Sequence, residues 1–459
     1  MRRKTTFRSV GFSRRPANGP VPTPAQPPGP RLPAMVQTLL FARYRDRWFP
    51  RLRRTYGEVF SLSLAAPIRH NVVVLARQEA VDEVFGGAVD VLHAGAGNAV
   101  LRPIMGDHSV LLTDEDEHRR LRRLLLPAFS SPALRTYEDM MRTVAVAEIE
   151  RWPVGEVFCA HHRMRELTLE VIGQLILGVT AQARLAQLRP LMRSLTNIGQ
   201  ITLLGLSHPR LRQMRPWRRY LSVRRSLDDL IDAQVAHRRV AADDQGDVLS
   251  HLVQAGQKAD AGDFGDAELR DQLVTLLLAG HETTATGLAW ALHELSRSPE
   301  HLRRAQRAAD EGDDAYLTAI FQETLRRRPV IYQVARCLTE PLTIAGHRLP
   351  AGTTVMPAIG LVHLDPTHHE QPEAFCPERF LDGRPPSPAW IPFGGGARRC
   401  PGAGFALLEA TIVLREVLTR YDLRPDRPRP ETPRPRQVTH GPARGARLVV
   451  SHRGNATVA

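Results

Sequence analysis

Two hydrophobic rhythms run along the chain. Near its start, EVFSLSL (58–64) and NVVVLAR (71–77) carry β-rich runs on either side of a turn containing Pro67, and together they predict a hairpin. From about 114 to 335 helical segments dominate. Two stretches lack a regular pattern: Gly86 to His108, rich in Gly, Ala and His, and Thr196 to Pro216, interrupted by Gly199, Gly205 and Pro209. Both are expected to be mobile connections, where ligand access often lies. After Cys337, PLTIAGHRLPAGTTVMPAI returns to short strands with glycine and proline at the turns. The fold class is therefore mainly α with a smaller β portion. That β portion comes from both ends of the chain, so residues 34–459 read as one domain, although 459 residues would allow more.

The longest helical pattern is FGDAELRDQLVTLLLAGHETTATGLAWALHELSR (264–297). Asp266 and Glu268 sit in its first turn, and Ser298-Pro299 ends it. Roughly 32 helical residues would span ~48 Å, enough to cross the molecule. Its centre, AGHETTA (279–285), places Gly280, Glu282 and two threonines where a core helix should be smoothest. The zinc motif HExxH fails here, because Ala285 holds the second histidine position. Ala279 and Thr283 lie four apart on one face, where the hydroxyl can bond back to the carbonyl and loosen the helix. Gly280 would let a flat ligand or a small molecule approach the backbone. An oxygen-handling groove and a merely kinked helix both fit this motif alone.

Composition narrows the choices. The net charge is +14, yet Lys4 and Lys258 are the only lysines, and the arginines are spread along most of the predicted helices. Such a pattern argues against nucleic acid as a partner and for a basic face that docks an acidic protein. No apolar run approaches the ~20 residues needed to span a bilayer, so no transmembrane segment is expected. Residues 1–33 begin basic, without acids or an apolar signal core, and continue as the proline-rich PVPTPAQPPGPRLP. They read as a disordered arm, with order beginning near Ala34. The cysteines (Cys159, Cys337, Cys376, Cys400) are scattered without CxxC spacing, which disfavours a disulfide framework or a zinc site.

Three further patterns carry chemistry. Glu323 and Arg326 form an i,i+3 pair that is ordinarily a solvated surface feature. Arg379, in PERF (377–380), could clamp the same carboxylate and lock its loop to the helix. FGGGARRCPGAGFA (393–406) sets Cys400 ahead of a helix of about 18 residues, AGFALLEATIVLREVLTR. Its glycines permit a tight turn, but without GK[ST] there is no phosphate loop. Backbone N–H groups and the positive helix end would favour a thiolate there, suited to a metal.

Together these patterns resemble the haem-thiolate monooxygenases of the cytochrome P-450 family, over essentially the whole chain after the proline-rich arm. Phe393, Gly396, Arg398, Cys400 and Gly402 complete the signature FxxGxRxCxG. Glu323 and Arg326 match the family's glutamate-x-x-arginine pair, and Arg379 its PERF-type arginine. Ala279, Gly280, Glu282 and Thr283 match its oxygen-activation motif. The resemblance implies the cytochrome P-450 fold, with the long helix over haem b and a proximal cysteine loop. It makes Cys400 the iron ligand, and Thr283 with Glu282 the proton donors to dioxygen. His118, Arg122, Arg336 and Arg398 would hold the haem propionates. A surface histidine remains the plain alternative for His118. The implied reaction is insertion of one oxygen atom from dioxygen into a hydrophobic organic substrate. Electrons would come from separate proteins, a ferredoxin and its reductase. A non-catalytic haem sensor or carrier and a peroxide-driven hydroxylase are the competing readings. The PERF-like loop and Pro27-Pro-Gly-Pro30 resemble membrane-anchored members without the anchor, implying a bacterial, cytoplasmic, at most weakly membrane-associated protein.

Overall fold

The computed structural model describes residues 26–65, 71–178, 182–196, 210, 213–241, 246–256, 265–381, 387–436 and 438–454. Its centre is the helix α5 (Asp266–Ser296), 31 residues long and buried on nearly every side. A helix apolar all round belongs inside a large core. Asp266 and Glu268 complement its positive end, and the next helix starts at once with Pro299 in its first turn. Around it pack α3 (Glu115–Leu125), α4 (Ala160–Leu177), α6 (Asp314–Arg327) and α7 (Ala403–Arg420), which share one large apolar core with α5.

The predicted hairpin forms as β1 (Val59–Ser63) and β2 (Asn71–Leu75), antiparallel, with Val59 opposite Leu75 and Ser63 opposite Asn71. In β1 alternate residues Phe60 and Leu62 are buried, whereas β2 buries Val72 to Leu75 without a break, as an interior strand does. The sheet continues through β5 (Thr354–Pro357), β4 (Arg336–Leu338) and β3 (Leu92–His93), in the order β1-β2-β5-β4-β3. Strand β2 pairs in parallel with β5, Val72 facing Thr354. The β portion is thus drawn from both ends of the chain.

Two expectations change. Order does not wait for Ala34. Pro27 is buried, and Pro28 accepts the Ser61 amide at 2.8 Å. The Gln37 side chain, at the head of α1 (Ala34–Tyr56), donates to Pro30 and Leu32 carbonyls and accepts from the Ser63 amide. The bonds from the Ser61 and Ser63 amides are long-range, invisible to local composition. Secondly, the Gly86–His108 stretch holds β3, the short helix α2 (Ala94–Gly97) and single turns at Ala99–Leu101 and Arg102–Met105. Residues 197–209, 211 and 212 of the interrupted Thr196–Pro216 stretch lie outside the described residues.

Candidate active site

Cys400 ends a tightly folded loop. Gly394 and Gly396 take φ of 69° and 62°, and a Cβ on Gly396 would fall 1.8 Å from the Phe85 carbonyl oxygen. Only glycine fits there. The Cys400 amide donates back to the Phe393 carbonyl at 2.9 Å. Phe393 stands edge-on to Trp390, and the Trp390 indole donates to the Gln322 carbonyl on α6. Helix α7 begins three residues beyond Cys400, with the Ala406 amide donating to the Gly402 carbonyl. The thiol keeps accessible surface although protein surrounds it closely, so it faces an internal cleft. Burial raises its pKa, against the Gly402 amide, Arg122 and Arg399. In the protein alone the helix end does not outweigh desolvation, and a coordinated metal favours the thiolate expected from the sequence.

The middle of α5 has an open side. Ala279, Gly280, Glu282 and Thr283 are half-buried in a helix whose residues on both sides are buried. Thr283 Oγ1 donates to the Ala279 carbonyl at 2.6 Å, the back-bond expected from their spacing. Gly280 serves packing as well. A Cβ there would lie 2.8 Å from Ile172 Cδ1 of α4, which is a helix-contact reason for glycine that the sequence did not reveal. Glu282 reaches α4 too. Its carboxylate lies 2.9 Å from Arg165 Nε and 3.4 Å from His161 Nε2, and His161 also contacts Thr286 Oγ1 at 3.2 Å. Burial alone would raise the Glu282 pKa, but His161 and Arg165 together hold it below the usual carboxylate value. Next to it, burial pulls His281 down to about 4, so this ring is neutral and bonds to Thr168.

A cationic seat forms where α3, β4 and the cysteine loop meet. It contains His118 and Arg122 from α3, Arg336 from β4 and Arg398 from the loop. His118 is buried, contrary to the plain surface reading. Burial first, then Arg398 and Arg122, lower its pKa to about 4, while Asp114 opposes them. Burial and Arg398 bring Arg336 down to about 10. Arg122 is lowered by burial and favoured by Cys400. Arg398 donates to the Val110 and Thr113 carbonyls and to Asp114 at 2.5 Å. Asp114 was not foreseen, though it stands four residues before His118, where its side chain and the ring share a face. His161 and Arg165 were also missed, since nothing local links them to Glu282.

Glu323 and Arg326 are fully buried, which overturns the solvated-surface reading. Arg326 meets both carboxylate oxygens, at 2.7 and 2.8 Å, and also donates to the His363, Pro372 and Ala374 carbonyls. Glu323 accepts the Cys376 amide at 2.9 Å. Arg379 Nε stays 3.6 Å away, so it adds charge to the pair without a close hydrogen bond. The expected two-guanidinium clamp is therefore asymmetric.

The seat's chemistry tests what the cleft can hold. Buried positive charge is costly unless compensated. Arg398, Arg122 and Arg336 press on His118, and Asp114 opposes them. A ligand bearing carboxylates on one edge and a metal that accepts sulfur would suit both the seat and Cys400. Haem meets that description, which defines a haem-thiolate protein. The comparisons agree. The family model for cytochrome P450 matches residues 27–446. Cytochrome P450 135A1 of Mycobacterium tuberculosis is 43% identical over 429 residues, covering 93% of this chain and 95% of its own. Cytochrome P450 135B1 of Mycobacterium bovis is 43% identical over 432 residues, covering 92% and 91%. Among solved structures, retinoic acid-bound cyanobacterial CYP120A1 superposes with a TM-score of 0.83 at 23% identity, covering 94% of this chain and 100% of its own. The haem domain of cytochrome P450DA gives 0.80 at 24% identity, covering 94% and 98%. The chain belongs to the cytochrome P450 family, oxidoreductase monooxygenases that use haem with a cysteine thiolate ligand.

Proposed function

We propose that this protein inserts one oxygen atom from dioxygen into a hydrophobic organic substrate, with electrons from a separate ferredoxin and reductase. The observation that carries this reading is the open side of α5, where Ala279, Gly280, Glu282 and Thr283 are half-buried in an otherwise buried helix. Bound haem b supplies the iron at which dioxygen is reduced, with a thiolate that favours O–O cleavage. Cys400 provides that thiolate, in a loop shaped by Phe393 and Gly396. His118, Arg122, Arg336 and Arg398 hold the propionates. Ala279 and Gly280 keep the helix close and smooth where dioxygen enters. Thr283 holds a proton at Oγ1, and Glu282, a deprotonated carboxylate kept in place by Arg165 and His161, relays its replacement by accepting a proton from water and passing it on. Arg119, Arg123 and Arg399 are exposed on the same elements and suit an acidic electron donor.

No described helix is long and apolar enough to cross a membrane. The free cysteines suit the cytoplasm. Weak association with a membrane surface is supported by the outer face of α1. Met35, Val36 and Leu39 are exposed there, followed by exposed Arg43 and Arg47.

Cys400→His tests the core of the reading. Imidazole replaces thiolate, so the reduced carbon monoxide complex is expected to lose the red-shifted band and monooxygenase turnover while haem is still taken up. Cys159→Ser, Cys337→Ser and Cys376→Ser should keep the band. Retention of the shifted band in Cys400→His would transfer the ligand role to another cysteine.

A further inference from the structure

We infer that Asp114 is a positioning residue that couples the segment 94–97 to the propionate arginine Arg398. The inference rests on the haem seat proposed above. Asp114 sits just before α3, and one of its oxygens bridges two segments. Oδ1 accepts both the α2 amide of Gly95 at 2.8 Å and Arg398 Nη2 at 2.5 Å. Oδ2 accepts the Ala96 amide at 3.1 Å. Arg398 is further held by the Thr113 and Val110 carbonyls at 2.8 and 3.3 Å, in the run leading into α3. A single carboxylate therefore ties the cysteine loop to the first helical turn of the Gly86–His108 stretch.

The steric fit around α2 is close. A Cβ on Gly95 would lie 2.3 Å from the Leu112 carbonyl oxygen and 2.6 Å from Asp114 Oδ2. A Cβ on Gly97 would lie 2.9 Å from the Ala335 carbonyl carbon, beside Arg336. Helix α2 is thus wedged between Asp114 and the strand that carries a second cation of the seat. His93 stands at the same junction, 3.6 Å from Asp114 and 2.9 Å from Glu115. A ligand that shifts α2 must disturb the Asp114 hydrogen bonds, and Asp114 shares its charge with Arg398. Pocket occupancy and the electrostatics of the propionate seat are then linked, and the linkage runs both ways.

Three variants separate this coupling from ordinary stabilisation. Asp114→Asn removes the charge at nearly constant shape. Gly95→Ala pushes α2 off Asp114 but leaves the carboxylate. The third variant combines them. In the protein without haem, Asp114→Asn should speed hydrogen exchange at Gly95 and Ala96 by at least several-fold. In the haem-loaded protein it should shift the redox equilibrium with an indicator dye several-fold toward the reduced form, since a fixed negative charge favours the oxidised iron. Gly95→Ala, which takes two amide donors away from the carboxylate, should move that equilibrium the other way, toward the oxidised form. Both variants should weaken 1-phenylimidazole several-fold but leave the smaller imidazole unaffected. The double variant should be no weaker than Asp114→Asn, because neighbours acting through one contact are not additive. An unmoved redox equilibrium in Asp114→Asn, or fully additive losses, would overturn the coupling while leaving the haem-thiolate reading intact. Failure of the unmodified protein to bind haem would instead remove the reading and the coupling together.

Discussion

At the scale of single residues, the active-site motif is a compromise between packing and openness. Thr283 uses its hydroxyl to back-bond to Ala279, and a donor so engaged still has lone pairs with which to accept from a bound ligand or water. Thr283→Ala should leave haem and substrate binding in place but divert electrons to peroxide or water. The measurement is product formed per reduced nicotinamide consumed, and an unchanged ratio would reduce Thr283 to a helix-loosening residue. Glu282 is legible as an acid in the sequence, but its direction is not. The ion pair with Arg165 joins positions 117 residues apart, on helices whose contact is decided only by packing. Cys400 gives the opposite lesson. Its place before a helix suggests a stabilised thiolate, whereas enclosure by protein raises its pKa. Local sequence reports the helix end; the tertiary structure sets the dielectric.

At the scale of elements, α6 joins the 372–376 segment through a fully buried polar contact. Arg326 and Glu323 are wholly out of water, and Arg326 also holds three carbonyls beyond its own helix. Removing one partner leaves a buried charge unpaired, so Glu323→Gln is expected to cost about 3–5 kcal/mol. Chemical denaturation would measure it, with loss of haem loading as the functional counterpart. A cost near that of an exposed pair, under about 1 kcal/mol, would contradict the structural assignment. The i,i+3 spacing alone could not separate these outcomes, because a surface pair and a buried one have the same spacing. Strand β2 shows a similar limit. Its unbroken apolar run suggested a strand, but its parallel partner β5 lies far along the chain and carries no local signal.

Across the whole molecule, several histidines are buried as neutral rings. Burial lowers the pKa of His281, His293 and His369 from 6.5 to about 4. His363 falls from 6.5 to about 3, also mainly through burial. Because folding depresses these values, the unfolded chain binds more protons than the folded one below 6.5, and stability must fall with pH there. Without haem, the denaturation midpoint is therefore expected to drop as pH goes from about 6.5 to about 4. Replacing His363 with Gln should flatten part of that slope. A midpoint independent of pH over this range would show that the rings protonate in the folded state without penalty.

The sequence by itself determined what depends on neighbours along the chain. The long helix, the hairpin, the 18-residue helix after Cys400 and the glycines of its loop all follow from periodicity, capping and backbone conformation, which act over a few residues. The ordered motifs also identified the family and the chemistry of the cleft. Only the tertiary structure decided which side chains meet: Asp114 with Arg398, Glu282 with Arg165 and His161, and Gly280 with Ile172. It likewise decided that Glu323 and His118 are buried and that the arm is tied down from Pro27 onward. Burial and long-range charge depend on how all the elements close around one another, so no short stretch of sequence can encode them.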